Sequence, residues 1–242
     1  MYLNNFMKQF CVIGLLFIIS FGLDAHLKLY TFYTPSHKIL FDQWFLPSLQ
    51  DEYDLIVETY EQECLSARFL SPGWTKTTYR KIELILRAIL ENWGDIFIYS
   101  DVDVQFFGKT EAVILKNIKD KDIILQREDP YGGLCTGFFV CRANEKTLHL
   151  FRSAKNIMHN NKKVSDQEAI NRVLKQQNYW DIQWGYLPDV FFGGGLKTGK
   201  LWKIGMSLII PNDIVMHHAN FSIGIPTKIA QLEYVRDLVL EK

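Results

Sequence analysis

Asp101-Val102-Asp103 follows the apolar run Ile96-Phe97-Ile98-Tyr99 and is the most chemically suggestive feature of the sequence. Carboxylates at i and i+2 project to the same side of an extended chain. Paired this way they are hard oxygen ligands, suited to Mg²⁺ or Mn²⁺. Far downstream lies His217-His218-Ala219-Asn220, with Gly224 and Lys228 beyond it. One imidazole, from His217 or His218, would complete an Asp–Asp–His metal site. Lys228 or a backbone nest could hold phosphate beside it. Ser165-Asp166-Gln167 opens a helical pattern. Asp166 is there either a first-turn surface acid or a group that projects into a site and accepts a hydroxyl hydrogen bond.

These residues must be positioned by alternating strands and helices, which points to an α/β layered fold. Strand signals cover Leu27–Tyr33, Tyr53–Tyr60, Ile96–Tyr99, Asp122–Gln126 and Gly137–Cys141. Helical spacing covers His37–Leu49, Thr75–Trp93, Glu145–Met158 and Ser165–Leu174, the last with Ser165 as N-cap and Glu168 three residues on. A further strand-like stretch lies near 207–216. Open α/β sheets bind ligands at the carboxyl ends of their strands, where Asp101 and Asp103 fall.

Two other patterns compete. Gly194 to Lys200 fits GxxxxGK, but Leu201 stands where a P-loop needs Ser or Thr. An apolar strand followed by DxD also opens haloacid-dehalogenase-type phosphatases. There the motif begins the domain and a later GDxxxD follows, and this chain has neither arrangement.

The chain has 242 residues, 48% hydrophobic and 22% charged, which is globular composition. With 27 basic and 27 acidic residues there is no cationic excess to favour a nucleic acid. Aromatic residues reach 14%. Trp74, Trp180, Trp184, Phe191 and Phe192 are candidates to stack on a ring, with core packing the alternative. Cys11, Cys64, Cys135 and Cys141 form no CxxC, and the last two read as small buried hydrophobes. Phe10–Leu23 is uncharged and follows Lys8. At fewer than about 20 residues it reads as a signal peptide or short membrane anchor, and last as a buried element. Residues 1–24 are thus set apart from a single domain over 25–242. The expected location is the secretory pathway or a membrane, or the cytoplasm if the segment is not a signal.

YSDVDVQFF, CTGFF, SDQEAIN, LPDVFF and HHANFSIG occur in that order. Together they resemble nucleotide-diphospho-sugar transferases of the GT-A fold, over roughly 27–235. The group with the nearest likeness includes plant α-xylosyl- and arabinosyltransferase-like proteins. The resemblance implies a Rossmann-like mixed sheet flanked by helices. It implies a hexosyl- or pentosyltransferase that uses a nucleotide-sugar donor, UDP-linked, and a glycan or other hydroxyl acceptor. It also implies a divalent cofactor, Mn²⁺ ahead of Mg²⁺. By that likeness Asp101 and Asp103 hold the metal and touch the donor, with His218, or its neighbour His217, as the late metal ligand. Gly224 and Lys228 approach the diphosphate, and Lys81 supports the donor site. Thr31 and Tyr33 face the base, Asp166 and Gln167 line the reacting region, and Thr136 and Gly137 lie on the acceptor side. CTGFF departs from the commoner Asn or Ser near the Gly. Asn220-Phe221-Ser222 is a glycosylation sequon, and a pocket-lining Asn220 is expected to stay unmodified. A haloacid-dehalogenase-like phosphatase and a non-catalytic carbohydrate-binding protein of the same fold are the rival readings.

Overall fold

A computed structural model describes residues 26–66, 68 and 71–241. The proposed signal or anchor at 1–24 lies outside the described residues. Strands β1 (Lys28–Tyr33), β2 (Asp54–Thr59), β3 (Ile96–Ser100), β5 (Ile123–Arg127), β6 (Leu134–Arg142) and β7 (Trp184–Tyr186) form one sheet. Its order is β2-β1-β3-β6-β5-β7. Only β6 runs against the others. Strands β4 (Val104–Phe106), β8 (Phe191–Gly193) and β9 (Met216–His218) form a smaller sheet, order β4-β9-β8.

The large sheet is covered on both faces, which explains why its central strands read as unbroken apolar runs. Side chains alternate across it. Tyr30, Phe97, Tyr99, Ile123, Leu125, Phe139 and Cys141 enter one core. That core is roofed by the helices Trp74–Glu91, Glu145–Asn160 and Asp166–Gln176. Leu29, Ile98, Ile124, Phe138 and Val140 enter the other, shared with the helical run at 35–48 and the small sheet. The run at 35–48 contains a π-helical turn, Phe41–Phe45. Asn144 makes a capping box with Thr147, and Ser165 Oγ accepts from Glu168 N at 2.9 Å.

Several elements differ from expectation. Of the stretch near 207–216 only Met216 is in a strand, and β9 continues from it to His218. Residues 207–214 are in no strand, Val215 N donates to Val190 O at 3.0 Å just before β9, and Leu208 and Ile210 pack on a small satellite cluster. The helices Glu111–Ile118 and Ile225–Leu240 carry too little amphipathic contrast to stand out from their neighbours in sequence. Residues 194–198 form turns with no helix after them, so the P-loop pattern lacks the helix N-terminus that would bind phosphate.

Phe139 sits in the antiparallel strand, fully buried between the Tyr99 and Phe151 rings. Phe139→Ala should lower stability by about 3–5 kcal/mol through the cavity it leaves. Equilibrium denaturation of the variant beside the wild type measures the difference.

Candidate active site

The chain leaves β3 at Ser100, bends through Val102 and Asp103, and enters the small sheet as β4. Val104 pairs with His218 across the β4–β9 ladder, and Ala219 N donates to Asp103 O at 2.9 Å. This register sets the His218 imidazole beside the Asp103 carboxylate, with Nε2 3.4 Å from Oδ1. Asp101 is anchored by its own N–H, which donates to Gly137 O at 2.7 Å. One ligand atom from each of Asp101, Asp103 and His218 lies within 4.8 Å of the others. They face a cleft of about 360 Å³ at the carboxyl ends of β1 and β3.

His217 points the other way. Adjacent residues of a strand face opposite sides, so His217 turns from the cleft and stacks on Phe192. Burial lowers its pKa to about 3, so it is neutral. The choice between the two histidines is therefore made by sheet register.

Two lysines balance the acids. Lys81 Nζ is buried, 3.1 Å from Asp101 Oδ1 and 3.3 Å from Asp166 Oδ2. Burial opposes its charge, but the two carboxylates outweigh it and raise its pKa. The Tyr99 ring lies 4.8 Å beneath it, and Tyr99 OH donates to Asp101 Oδ1 at 2.7 Å. Lys228 Nζ donates to Asp103 Oδ2, and to Ala219 O at 3.1 Å. Burial alone would raise the Asp103 carboxyl, yet Lys228 holds it well below the usual carboxylate range. Lys81 reaches the cleft because Trp74, Thr77, Thr78 and Lys81 line it from successive turns at the start of one helix. Lys228 is one turn into the Ile225–Leu240 helix, whose N-cap Gly224 lines the cleft with φ +85°. A side chain at Gly224 meets open space, so that glycine is required by its dihedral.

Asp166 is buried, and its Oδ2 accepts from Thr136 Oγ1 at 2.8 Å. Gln167 Oε1 accepts from Thr136 N at 3.2 Å. Thr136, Gly137, Asp166 and Gln167 thus line one wall together. Phe32, Tyr33, Thr34 and His37 line another. Thr31 does not. It lies two residues short of the strand's end, is fully buried in the sheet, and its Oγ1 is without a partner. Of the five candidate stacking rings, only Trp74 lines the cleft. Trp180 stacks on His149, Trp184 packs on the first core, and Phe191 and Phe192 are buried. Asn220 lines the cleft and is buried, with Oδ1 accepting from Gly195 N at 3.1 Å.

Sequence reasoning passed over Trp74's helix neighbours Thr77 and Thr78, and also His37 and Gln126. Gln126 is a fully buried amide that follows the apolar Ile123-Ile124-Leu125, and it stands in the sequence as IILQR.

The description of nucleotide-diphospho-sugar transferases matches residues 49–232, about three quarters of the chain. An uncharacterized protein of Arabidopsis thaliana is 25% identical over 170 residues, covering 69% of this chain and 48% of its own length. The chain therefore spans about half the length of that curated relative. Among solved structures, a glycosyltransferase involved in glycosylation of the major capsid of PBCV-1 is similar at TM-score 0.57 and 11% identity, covering 86% of this chain and 99% of that one. The apo glycosyltransferase GlyE of Streptococcus pneumoniae gives 0.51 and 11%, covering 89% and 62%. At such identities the likeness is one of fold, and the shared fold is GT-A.

A Cβ at Gly137 would stand 2.1 Å from His218 Cε1. Gly137→Ala should push the imidazole out of the cluster at a cost of about 1–3 kcal/mol from overpacking. A crystal structure and a denaturation curve of the variant check both. Lys81→Met should cost about 3–5 kcal/mol, because it strands Asp101 and buried Asp166 without their cation. Thermal and urea unfolding would show it.

Proposed function

The chain belongs to the nucleotide-diphospho-sugar transferase family, and from that premise we propose that it moves a hexosyl or pentosyl group from a UDP-sugar to a hydroxyl of a glycan or similar acceptor. The observation that carries this reading is the convergence of Asp101, Asp103 and His218 at the strand ends, with Lys228 on Asp103. Two carboxylates and an imidazole form a donor set that suits a borderline-hard divalent ion, Mn²⁺ ahead of Mg²⁺. Asp101, Asp103, Glu128 and Asp166 against Lys81 and Lys228 leave the cleft two net negative charges, which a divalent cation offsets. Held at Asp101 and Asp103 beside Lys228, that cation would turn this end of the cleft towards a diphosphate. A cation held there supplies Lewis-acid stabilisation of the charge that grows on the leaving phosphate.

The remaining work falls to the chain itself. Lys228 and the N-terminus of the helix it lies on place positive potential beside the leaving oxygens. Phe32, Tyr33, His37 and Trp74 line the same cleft and offer flat or edge contacts for a base. Lys81 fixes Asp101 and Asp166 in place. Asp166, tied to Lys81 and Thr136, serves better as a sugar-hydroxyl acceptor and electrostatic support than as a free nucleophile. A front-face transfer with retention fits that arrangement. The acceptor oxygen forms its bond to the anomeric carbon as the glycosyl–phosphate bond breaks on the same face, and the acceptor proton passes to the leaving phosphate. The apolar run at 10–23 fits delivery into the secretory pathway or attachment to a membrane.

Wild-type protein should show a UDP-dependent rise in unfolding temperature that requires Mn²⁺, since about 2.7 kcal/mol of stabilisation accompanies ligand at a hundred times Kd. It should also hydrolyse a UDP-sugar slowly without acceptor. Asp103→Asn should remove the Mn²⁺-dependent shift and lower turnover at least about 100-fold, with the circular dichroism spectrum kept. A folded wild type that ignores UDP but hydrolyses simple phosphate esters would overturn the reading.

A further inference from the structure

We infer that Gln126 is a positioning residue that fixes the tautomer of His218 and so aims its Nε2 lone pair at Asp101 and Asp103. This rests on the proposed metal site and assigns a role to a side chain outside the cleft. Gln126 is fully buried at the end of β5. The β5–β6 register is irregular between Leu125 and Gln126, moving from Leu125↔Phe139 to Gln126↔Cys135. Such irregularities re-aim a side chain. Here it bridges from the large sheet to two strands of the small one.

The orientation of the Gln126 amide follows from its two partners. Its Nε2 donates to Phe191 O at 3.0 Å. A carbonyl can only accept, so the NH₂ group must be the end at Phe191. The oxygen is then the end facing His218, with Oε1 2.9 Å from Nδ1. An oxygen at that distance requires a proton on Nδ1. In the neutral ring Nε2 is therefore the unprotonated nitrogen, and it is the one 3.4 Å from Asp103 Oδ1. Cys135 Sγ also lies 3.5 Å from Nδ1, but a thiol sulfur is the weaker partner. Histidines that hold metals through one nitrogen commonly donate from the other, and loss of that acceptor typically weakens binding 10–100-fold. A backbone carbonyl of β8 thus sets, through one amide, which nitrogen of a β9 imidazole can bind a cation.

The test uses the full chain with Gln126→Met, which is near-isosteric and removes the acceptor, and Gln126→Glu, which keeps one. Ring ¹⁵N shifts of His218 in the metal-free protein report the tautomer, and electron paramagnetic resonance of free Mn²⁺ reports affinity. Gln126→Met should lose the Nδ1–H form and bind Mn²⁺ about 10–100-fold more weakly. Gln126→Glu should keep the Nδ1–H form and hold affinity within a few-fold of wild type. An unchanged tautomer in Gln126→Met, or equal losses in the two variants, would overturn the inference. Should the Met variant not fold, loss of the Nδ1–H form in Gln126→Glu overturns it and retention supports it. A wild type that binds no Mn²⁺ overturns the metal reading separately, and the tautomer in the metal-free protein still decides the role of Gln126.

Discussion

Four carboxylates, Asp101, Asp103, Glu128 and Asp166, line one cleft, and two ammonium groups make that arrangement tolerable. Taking an ion from water costs several kcal/mol even after relaxation. Asp103, Asp166 and Lys81 are all buried, so none could be held there alone. Lys81 serves two acids at once, and Lys228 serves a third. Much of the surrounding architecture follows from delivering those cations. The Trp74–Glu91 helix must begin at the carboxyl end of the sheet so that its first turns, and with them Lys81, face the acids. The Ile225–Leu240 helix must begin there too, so that Lys228 reaches Asp103 from one turn inside it. The balance also leaves the cleft with two more carboxylates than ammonium groups, which favours a divalent cation.

The second constraint is register. β3 belongs to the large sheet and β4 to the small one, and Asp101–Asp103 is the bend between them. Pairing β4 with β9 places His218 opposite Val104 and next to Asp103. A slip of one residue would exchange His218 for His217 and turn the ligand into the helix-facing side. Gly137 makes room for the ring from behind, and Gln126 holds its far nitrogen. The imidazole is thus set by pairing, by an absent side chain and by one amide, each from a different part of the chain.

Much of this was legible in the residues themselves. The period-2 and helical patterns gave β1, β2, β3, β5, β6 and the main helices within a few residues, because strongly apolar elements advertise their buried faces. Asp101, Asp103, Asp166 and Lys228 were legible from their types and from where such folds expose function, whereas Gln167, Lys81 and Gly224 entered through the family resemblance. Short strands such as β4, β8 and β9 were not, since three residues carry no periodicity, and the last helix shows little amphipathic contrast. Local sequence could not separate His217 from His218, nor place Thr31 beneath the cleft instead of in it. Nor could it reveal that Gln126 faces an imidazole 92 positions away. Those outcomes depend on strand register and on which residues end a strand. Both are set by contacts between distant segments, so only the tertiary structure decided them.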